Sequence, residues 1–139
     1  METDKSILVV DDDAMNITAL IHILGEDYTV YAETDGRGCI ESAKELNPDL
    51  ILLDITMPDI SGFEVIKILK QDEKTQNIPV IFVTGKNTPE DEERGFTLGA
   101  VDYISKPFSK LVVAMRVRHQ MQIISQAREI QRLTALLKT

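Results

Sequence analysis

The sequence of 139 residues lacks a pair of cysteines, a long apolar run and a signal peptide, and each absence excludes a class of protein. It contains one cysteine, Cys39, so no disulfide can form within the chain. No apolar run approaches the roughly 20 residues that a membrane-spanning helix requires. The N-terminal segment METDKSILVV lacks the basic start and cleavage site of a secretory signal peptide. We therefore expect a cytoplasmic protein without membrane insertion, in which Cys39 packs inside the fold.

Glycine-rich phosphate loops and concentrated basic segments are also missing. No strand-like run is followed by a glycine-rich loop of the kind that binds nucleotide phosphates. The net charge is −8, and the basic residues that follow residue 108 are separated by apolar side chains. Because nucleic acids repel an acidic surface, direct nucleic-acid binding is not expected.

Hydrophobic residues make up 43% of the chain and charged residues 27%, a composition typical of one globular domain. Short apolar runs alternate with segments that carry apolar residues at helical spacing. The runs predict five strands, at residues 7–10, 28–32, 50–53, 79–83 and 101–104. The segments between them predict helices at residues 14–24, 37–46, 63–69 and 89–98. This alternation predicts an α/β fold, a doubly wound parallel sheet with helices on both faces.

The last part of the chain contains neither glycine nor proline, and it predicts one long helix from about residue 110 towards residue 137. Heptad-like spacings of 4, 3, 4 and 3 separate Ile123, Ala127, Ile130, Thr134 and Leu137. Two interpretations stay open. The helix either packs on the domain as a single helix with a frayed end, or it extends beyond the domain. An extension would pair with a second copy as a homodimer or lead into a further output domain.

Polar side chains follow four of the five predicted strands. In chain order they are Asp11, Asp12, Asp13, Asp54, Thr84 and Lys106. Because the carboxyl ends of parallel strands share one edge of the sheet, we expect these side chains to converge. Two carboxylates about 4 Å apart repel by roughly 4 kcal/mol at an effective dielectric constant near 20, so a cation should lie among them.

This acidic site has the chemistry of a phosphoryl-transfer centre. Mg²⁺ suits such an oxygen-rich site, because it binds a few carboxylates together with water and phosphate oxygens. Asp54 can act as a nucleophile toward phosphorus. Lys106 and Thr84 can supply a positive charge and a hydroxyl to the phosphoryl oxygens.

The chain resembles the response regulator receiver domain of bacterial two-component signalling, a CheY-like domain. The resemblance covers about residues 5–120 and lies in ILVVDDD at 7–13, LDITMPDISG at 53–62, VTG at 83–85 and GAVDYISKPF at 99–108. It implies a flavodoxin-like sheet of five strands in the order 2-1-3-4-5. The expected organisation is a receiver domain at residues 5–120 and a C-terminal helical extension at residues 121–139. The expected function is a phosphoacceptor switch rather than an enzyme, although a further output domain could be one.

The resemblance also implies roles for the acidic residues. Asp54 would accept a phosphoryl group from a sensor histidine kinase or a phosphotransfer protein. Asp12, Asp54 and the backbone carbonyl of Thr56 would ligate Mg²⁺ directly, with Mn²⁺ as an alternative ion. Asp11 would act on the ion mainly through a bound water.

The remaining site residues follow the last two strands. Thr84 would hydrogen-bond the phosphoryl group, Lys106 would pair with it, and Tyr103 would change rotamer when Thr84 moves. The bond before Pro107 is a candidate cis peptide. Asp13, in contrast, is interpreted as a negative charge at a helix N-terminus, where the helix dipole stabilises it.

Two other functions fit parts of this pattern. One is an unphosphorylated receiver-like adaptor that acts through its surface. The other is a Mg²⁺-dependent aspartyl-phosphate phosphatase of the haloacid dehalogenase-like type. Those enzymes carry a second aspartate two residues after the nucleophile, where this chain has Thr56.

Overall fold

The structure is a computed structural model that describes residues 5–138. The five strands are β1 (Ser6–Val10), β2 (Thr29–Glu33), β3 (Leu50–Leu53), β4 (Val80–Thr84) and β5 (Asp102–Ser105). The five helices are α1 (Ala14–Leu24), α2 (Gly36–Leu46), α3 (Gly62–Gln71), α4 (Pro89–Thr97) and α5 (Lys110–Leu137). Residues 1–4, at the start of the N-terminal segment considered above, and residue 139 of the predicted extension lie outside the described residues.

All neighbouring strands are parallel, and their order in the sheet is β2-β1-β3-β4-β5. The predicted doubly wound, flavodoxin-like fold is therefore confirmed. The register pairs Val10 with Leu53 at the carboxyl ends of β1 and β3, and Thr84 with Ser105 at those of β4 and β5. The residues that follow these strands are thus brought to one edge of the sheet.

The helices cover both faces of the sheet because the side chains of each strand alternate between faces. Leu8 and Val10 belong to a buried cluster with residues of α2 and α3, whereas Ile7 and Val9 pack with residues of α1 and α5. Each of these side chains is at most 2% exposed, and full burial of an aliphatic side chain contributes about 1.5–3 kcal/mol. Cys39 is buried in the first cluster, as predicted.

Local capping residues set the helix ends that flank the site. Asp13 is the N-cap of α1 and accepts a hydrogen bond from the backbone N–H of Met15 at 2.9 Å, so its predicted role is confirmed. Ser61 caps α3 by accepting from Glu64, at 3.2 Å. Thr88 begins α4 with a reciprocal capping box.

The last helix, α5, has 28 residues and is therefore about 42 Å long. Its first half packs on the domain through Val113, Val117, Gln120 and Met121. Further along, the Arg128 guanidinium pairs with the Asp49 carboxylate, and Ile124, Ala127 and Arg128 line one side of a cleft of about 330 Å³.

The predicted heptad positions of α5 are not equivalent to one another. Ile123, Ile130 and Leu137 are 44%, 64% and 88% exposed, whereas Ala127 lines the cleft against the domain. Leu133, which was not among the predicted positions, is 47% exposed. Among residues 5–138, no helix combines the length and the apolar character that crossing a membrane requires.

Candidate functional site

Three carboxylates meet at the carboxyl edge of the central strands. Asp11 and Asp12 follow β1, Asp54 follows β3, and one oxygen of each lies within 4.8 Å of the others. Asp11 and Asp54 are only 2% and 5% exposed, whereas Asp12 is exposed. Such a set of hard oxygen donors, open on one side, matches the preference of Mg²⁺ for a few carboxylates and several waters.

The Lys106 ammonium lies between the two buried carboxylates. Its Nζ is 2.6 Å from Oδ2 of Asp11 and 2.8 Å from Oδ2 of Asp54. Burial by itself lowers the pKa of Lys106, but its hydrogen bonds with both aspartates and their negative charges outweigh that effect and raise the pKa. The lysine is therefore the cation that offsets the repulsion between the carboxylates.

Both carboxylate oxygens of Asp54 accept hydrogen bonds. Oδ1 accepts hydrogen bonds from the backbone N–H groups of Ile55 at 2.7 Å and Thr56 at 3.4 Å, while Oδ2 faces Lys106. The loop then closes through a hydrogen bond from the Gly62 N–H to the Ile55 carbonyl, at 2.8 Å. A Cβ at Gly62 would lie 2.4 Å from the backbone oxygen of Asp54, so this close approach requires glycine.

Thr84 and Tyr103 both contact the backbone of Lys86, in the loop after β4. The Thr84 hydroxyl oxygen accepts from the Lys86 N–H at 3.2 Å, and the Tyr103 hydroxyl donates to the Lys86 carbonyl. Tyr103 is 8% exposed, and its ring contacts those of Phe82 and Phe96. The tyrosine ring thus lies inward, and its hydroxyl links β5 to the loop that follows Thr84.

The environment of Tyr103 keeps its phenol protonated. Burial, followed by the negative charges of Asp91, Glu92 and Asp54, raises the pKa of Tyr103 to about 12. A neutral hydroxyl can donate to the Lys86 carbonyl, which a phenolate could not do.

The predicted site residues thus occupy two adjoining groups in the structure. In the first group, Lys106 contacts Asp11 and Asp54 directly, and Asp12 has a carboxylate oxygen within 4.8 Å of theirs. In the second group, Thr84 and Tyr103 are joined through Lys86. The peptide bond between Lys106 and Pro107 is cis.

Sequence reasoning missed one residue of this edge. The Asp59 carboxylate accepts hydrogen bonds from the backbone N–H groups of Gly36 and Arg37, each at 2.9 Å. The partners are 23 and 22 residues away along the chain, and no local pattern indicates such a contact.

Comparison with known proteins identifies the class. Residues 7–118 match the family described as the response regulator receiver domain. The chain therefore belongs to this family of two-component signalling domains. A receiver domain serves a phosphorylation-based signalling role, which agrees with the acidic edge described above.

Individual relatives differ in how much of their length the chain covers. It is 45% identical over 117 residues to a probable cyclic di-GMP phosphodiesterase of Vibrio cholerae serotype O1, a match of 84% of this chain and 26% of that protein. It is 41% identical over 106 residues to the polar-differentiation response regulator DivK of Brucella ovis, covering 76% of this chain and 86% of DivK. The chain thus spans about a quarter of the first relative and most of the second.

Solved structures give the same fold. The signal receiver domain of a signal transduction histidine kinase from Syntrophus aciditrophicus superimposes with a TM-score of 0.77 at 33% identity, over 85% of this chain and 90% of that chain. The chemotaxis protein CheY4 of Vibrio cholerae gives a TM-score of 0.79 at 26% identity, over 84% and 98%. Receiver domains from different organisms therefore share this architecture.

Proposed function

We propose that the chain is a phosphoacceptor switch in which Asp54 receives a phosphoryl group from a sensor histidine kinase or a phosphotransfer protein. The observation that carries this proposal is the position of the Lys106 ammonium, 2.6 Å and 2.8 Å from the buried Asp11 and Asp54 carboxylates. In the transfer step, a carboxylate oxygen of Asp54 bonds to phosphorus while the bond from phosphorus to the donor histidine nitrogen breaks.

Mg²⁺, or Mn²⁺ in its place, is the cofactor that this donor set fits. Asp11, Asp12, Asp54 and the backbone carbonyl of Thr56 would hold the ion, which supplies positive charge to the phosphoryl oxygens. The backbone N–H groups of Ile55 and Thr56 orient the Asp54 carboxylate. They hold Oδ1, so that the nucleophile has a fixed direction before the donor binds.

The switch itself would use the second group of residues. Phosphorylation adds about −1.5 to −2 charges at Asp54. Lys106 pairs with the new charge, and the Thr84 hydroxyl turns from the Lys86 N–H to donate to a phosphoryl oxygen. Because Tyr103 binds the carbonyl of the same residue, Lys86, this movement shifts the population of tyrosine rotamers and the surface of α4, β5 and α5.

We also propose the organisation of the chain around this switch. Residues 5–120 form the receiver domain and residues 121–139 a helical extension, which either joins a further output domain or pairs with a second copy. The exposed apolar residues Ile123, Ile130, Leu133 and Leu137 support pairing. The domain catalyses no reaction beyond its own phosphorylation and dephosphorylation, and it does not contact nucleic acid directly.

Acid-labile phosphate incorporation tests the proposal. The full chain, incubated with acetyl phosphate and Mg²⁺, should incorporate about one phosphoryl group per molecule, whereas Asp54→Asn and a sample in excess chelator should incorporate none. Asp13→Asn is the matched control, because Asp13 is an exposed N-cap of the same acidic segment and should be labelled normally. Labelling of Asp54→Asn at the same stoichiometry would place the acceptor elsewhere.

The adaptor alternative is tested with a phosphate analogue. Beryllofluoride with Mg²⁺ should shift the amide resonances of Thr84, Lys86 and Tyr103 in a ¹H–¹⁵N spectrum. An unchanged spectrum would favour the unphosphorylated adaptor.

A further inference from the structure

A carboxylate that belongs neither to the proposed metal ligands nor to the switch residues ties the phosphoacceptor loop to a neighbouring helix. Asp59, in the loop between β3 and α3, accepts from the Gly36 N–H through Oδ1 and from the Arg37 N–H through Oδ2, both at 2.9 Å. The Arg37 guanidinium adds a distant ion pair, with Nε 3.9 Å from Oδ2. The Arg37 side chain is 77% exposed and that of Asp59 21%, so the two backbone bonds dominate.

Helix α2 has a capping carboxylate of its own. Asp35 is its N-cap and accepts from the Gly38 N–H at 2.7 Å. Asp59 therefore satisfies two further N–H groups of the first turn from a distant loop. The first four N–H groups of a helix lack partners within it, and the N-cap satisfies one of them. The bonds from Asp59 therefore add to the cap and also join the loop between β3 and α3 to the start of α2.

The same short segment, residues 33–37, also contacts the other acidic loop. The Asp11 N–H donates to the Glu33 carbonyl at 3.2 Å. At Gly36, a Cβ would lie 2.6 Å from Cγ1 of Ile60, so the segment packs directly against the residue after Asp59. Residues 33–37 thus hold the loop that carries Asp11 and the loop that carries Thr56, although they supply no ligand themselves.

We infer that Asp59 is a positioning residue for the acidic site, which fixes the Thr56 carbonyl relative to Asp11 and Asp54 by binding the N-terminus of α2. The inference rests on the proposed function, since it concerns the same Mg²⁺ site. Asp59 contacts neither the ion nor the phosphoryl group in this scheme. Its loss frees the loop between Thr56 and Gly62 to move, which separates the carbonyl ligand from the carboxylates.

Mg²⁺ binding to the full chain, measured by isothermal titration calorimetry, tests the inference without any phosphorylation assay. Asp59→Ala is expected to weaken Mg²⁺ binding about tenfold, the usual scale for residues that orient metal ligands. Asp35→Ala is the matched control, because it removes a carboxylate cap from the same helix end without releasing the loop. It should destabilise the chain to urea but bind Mg²⁺ within about twofold of the parent chain.

A second substitution keeps the test decisive if Asp59→Ala does not fold. Asp59→Asn retains one acceptor oxygen and should weaken Mg²⁺ binding by a smaller factor. Binding by either Asp59 variant as tight as that of the parent chain, or equal weakening by Asp35→Ala, would overturn the inference and leave the proposed function intact. A parent chain that binds no Mg²⁺ would overturn the proposed function and the inference with it.

A spectroscopic readout separates positioning from general destabilisation. In the Asp59 variants, the amide hydrogens of Gly36, Arg37 and Thr56 should exchange with solvent faster than in the parent chain. In Asp35→Ala, the exchange rate of Thr56 should not change. Faster exchange of Thr56 in Asp35→Ala would contradict the inference.

Discussion

In the metal-free chain, the positive charge of Lys106 stabilises the fold because it lies between two buried carboxylates. In Lys106→Met the aliphatic side chain is kept, but the Asp11 and Asp54 side chains, only 3% and 6% exposed, lose their common partner. Removal of one member of a buried ion pair costs about 3–5 kcal/mol, because it leaves an uncompensated charge. Since the Lys106 side chain is 20% exposed, we expect the lower end, a loss of about 3 kcal/mol in the free energy of unfolding.

A double-mutant cycle isolates the electrostatic part of that loss. When Asp54→Asn is already present, only one of the two carboxylates remains beside Lys106. Lys106→Met should then lower the free energy of unfolding by about 1.5 kcal/mol less than it does in the parent chain. This difference is the lower end of the range for a hydrogen bond between charged groups. Urea unfolding in excess chelator, followed by far-UV circular dichroism, measures all four free energies. Lys67→Met, at an exposed lysine of α3, is the control and should change stability by less than about 0.5 kcal/mol.

The same cycle can refute the electrostatic argument. A loss below about 1 kcal/mol for Lys106→Met, or a coupling energy near zero with Asp54→Asn, would show that the ammonium does not pair with the carboxylates in solution. Added Mg²⁺ should restore part of the stability of Lys106→Met, because an ion that binds only the folded state shifts the unfolding equilibrium. Failure of Mg²⁺ to stabilise either chain would contradict a metal site at this edge.

Three further results are expected. Burial, followed by the charge of Glu33, raises the pKa of Cys39 to about 12. The thiol should therefore react with Ellman's reagent at pH 8 only after the chain unfolds, and rapid labelling of the folded chain would contradict this. Hydrogen bonds from the Gly36 N–H, and then from the Arg37 N–H, lower the pKa of Asp59 to about 2, so its carboxyl ¹³C resonance should titrate near pH 2. Because this folded-state pKa lies below the unfolded value of about 3.9, the stabilisation by Asp59 is present above about pH 4 and is lost as the pH falls towards 2. A titration midpoint of the Asp59 carboxyl resonance near pH 4 would show that these hydrogen bonds do not form. Gly62→Ala should lower the free energy of unfolding by about 2 kcal/mol, because its Cβ would meet backbone atoms of Asp54 and Ile55, whereas Gly85→Ala, with no atom within 4 Å, should be neutral in the same urea assay.

The sequence predicted the secondary structure closely, because strand and helix patterns are local. The apolar run at residues 50–53 and the helix at residues 14–24 match β3 and α1 at both ends, and α5 spans the predicted residues 110–137. Asp13 was predicted as a helix N-terminal charge from its neighbours alone, and the structure confirms it. The strand order came from the family resemblance, since apolar runs do not specify which strands adjoin.

The sequence alone thus determined where the strands and helices lie, to within two residues at their ends, and which acidic and basic side chains lie at or next to strand ends. Only the tertiary structure decided which of them touch: Lys106 meets Asp11 across 95 positions, and Asp59 binds the backbone of a helix that begins 23 residues earlier. The physical reason is that periodicity and capping depend on neighbours within a few residues. Contacts between loops, in contrast, depend on strand register, loop path and rotamer, which form only when the whole sheet is packed.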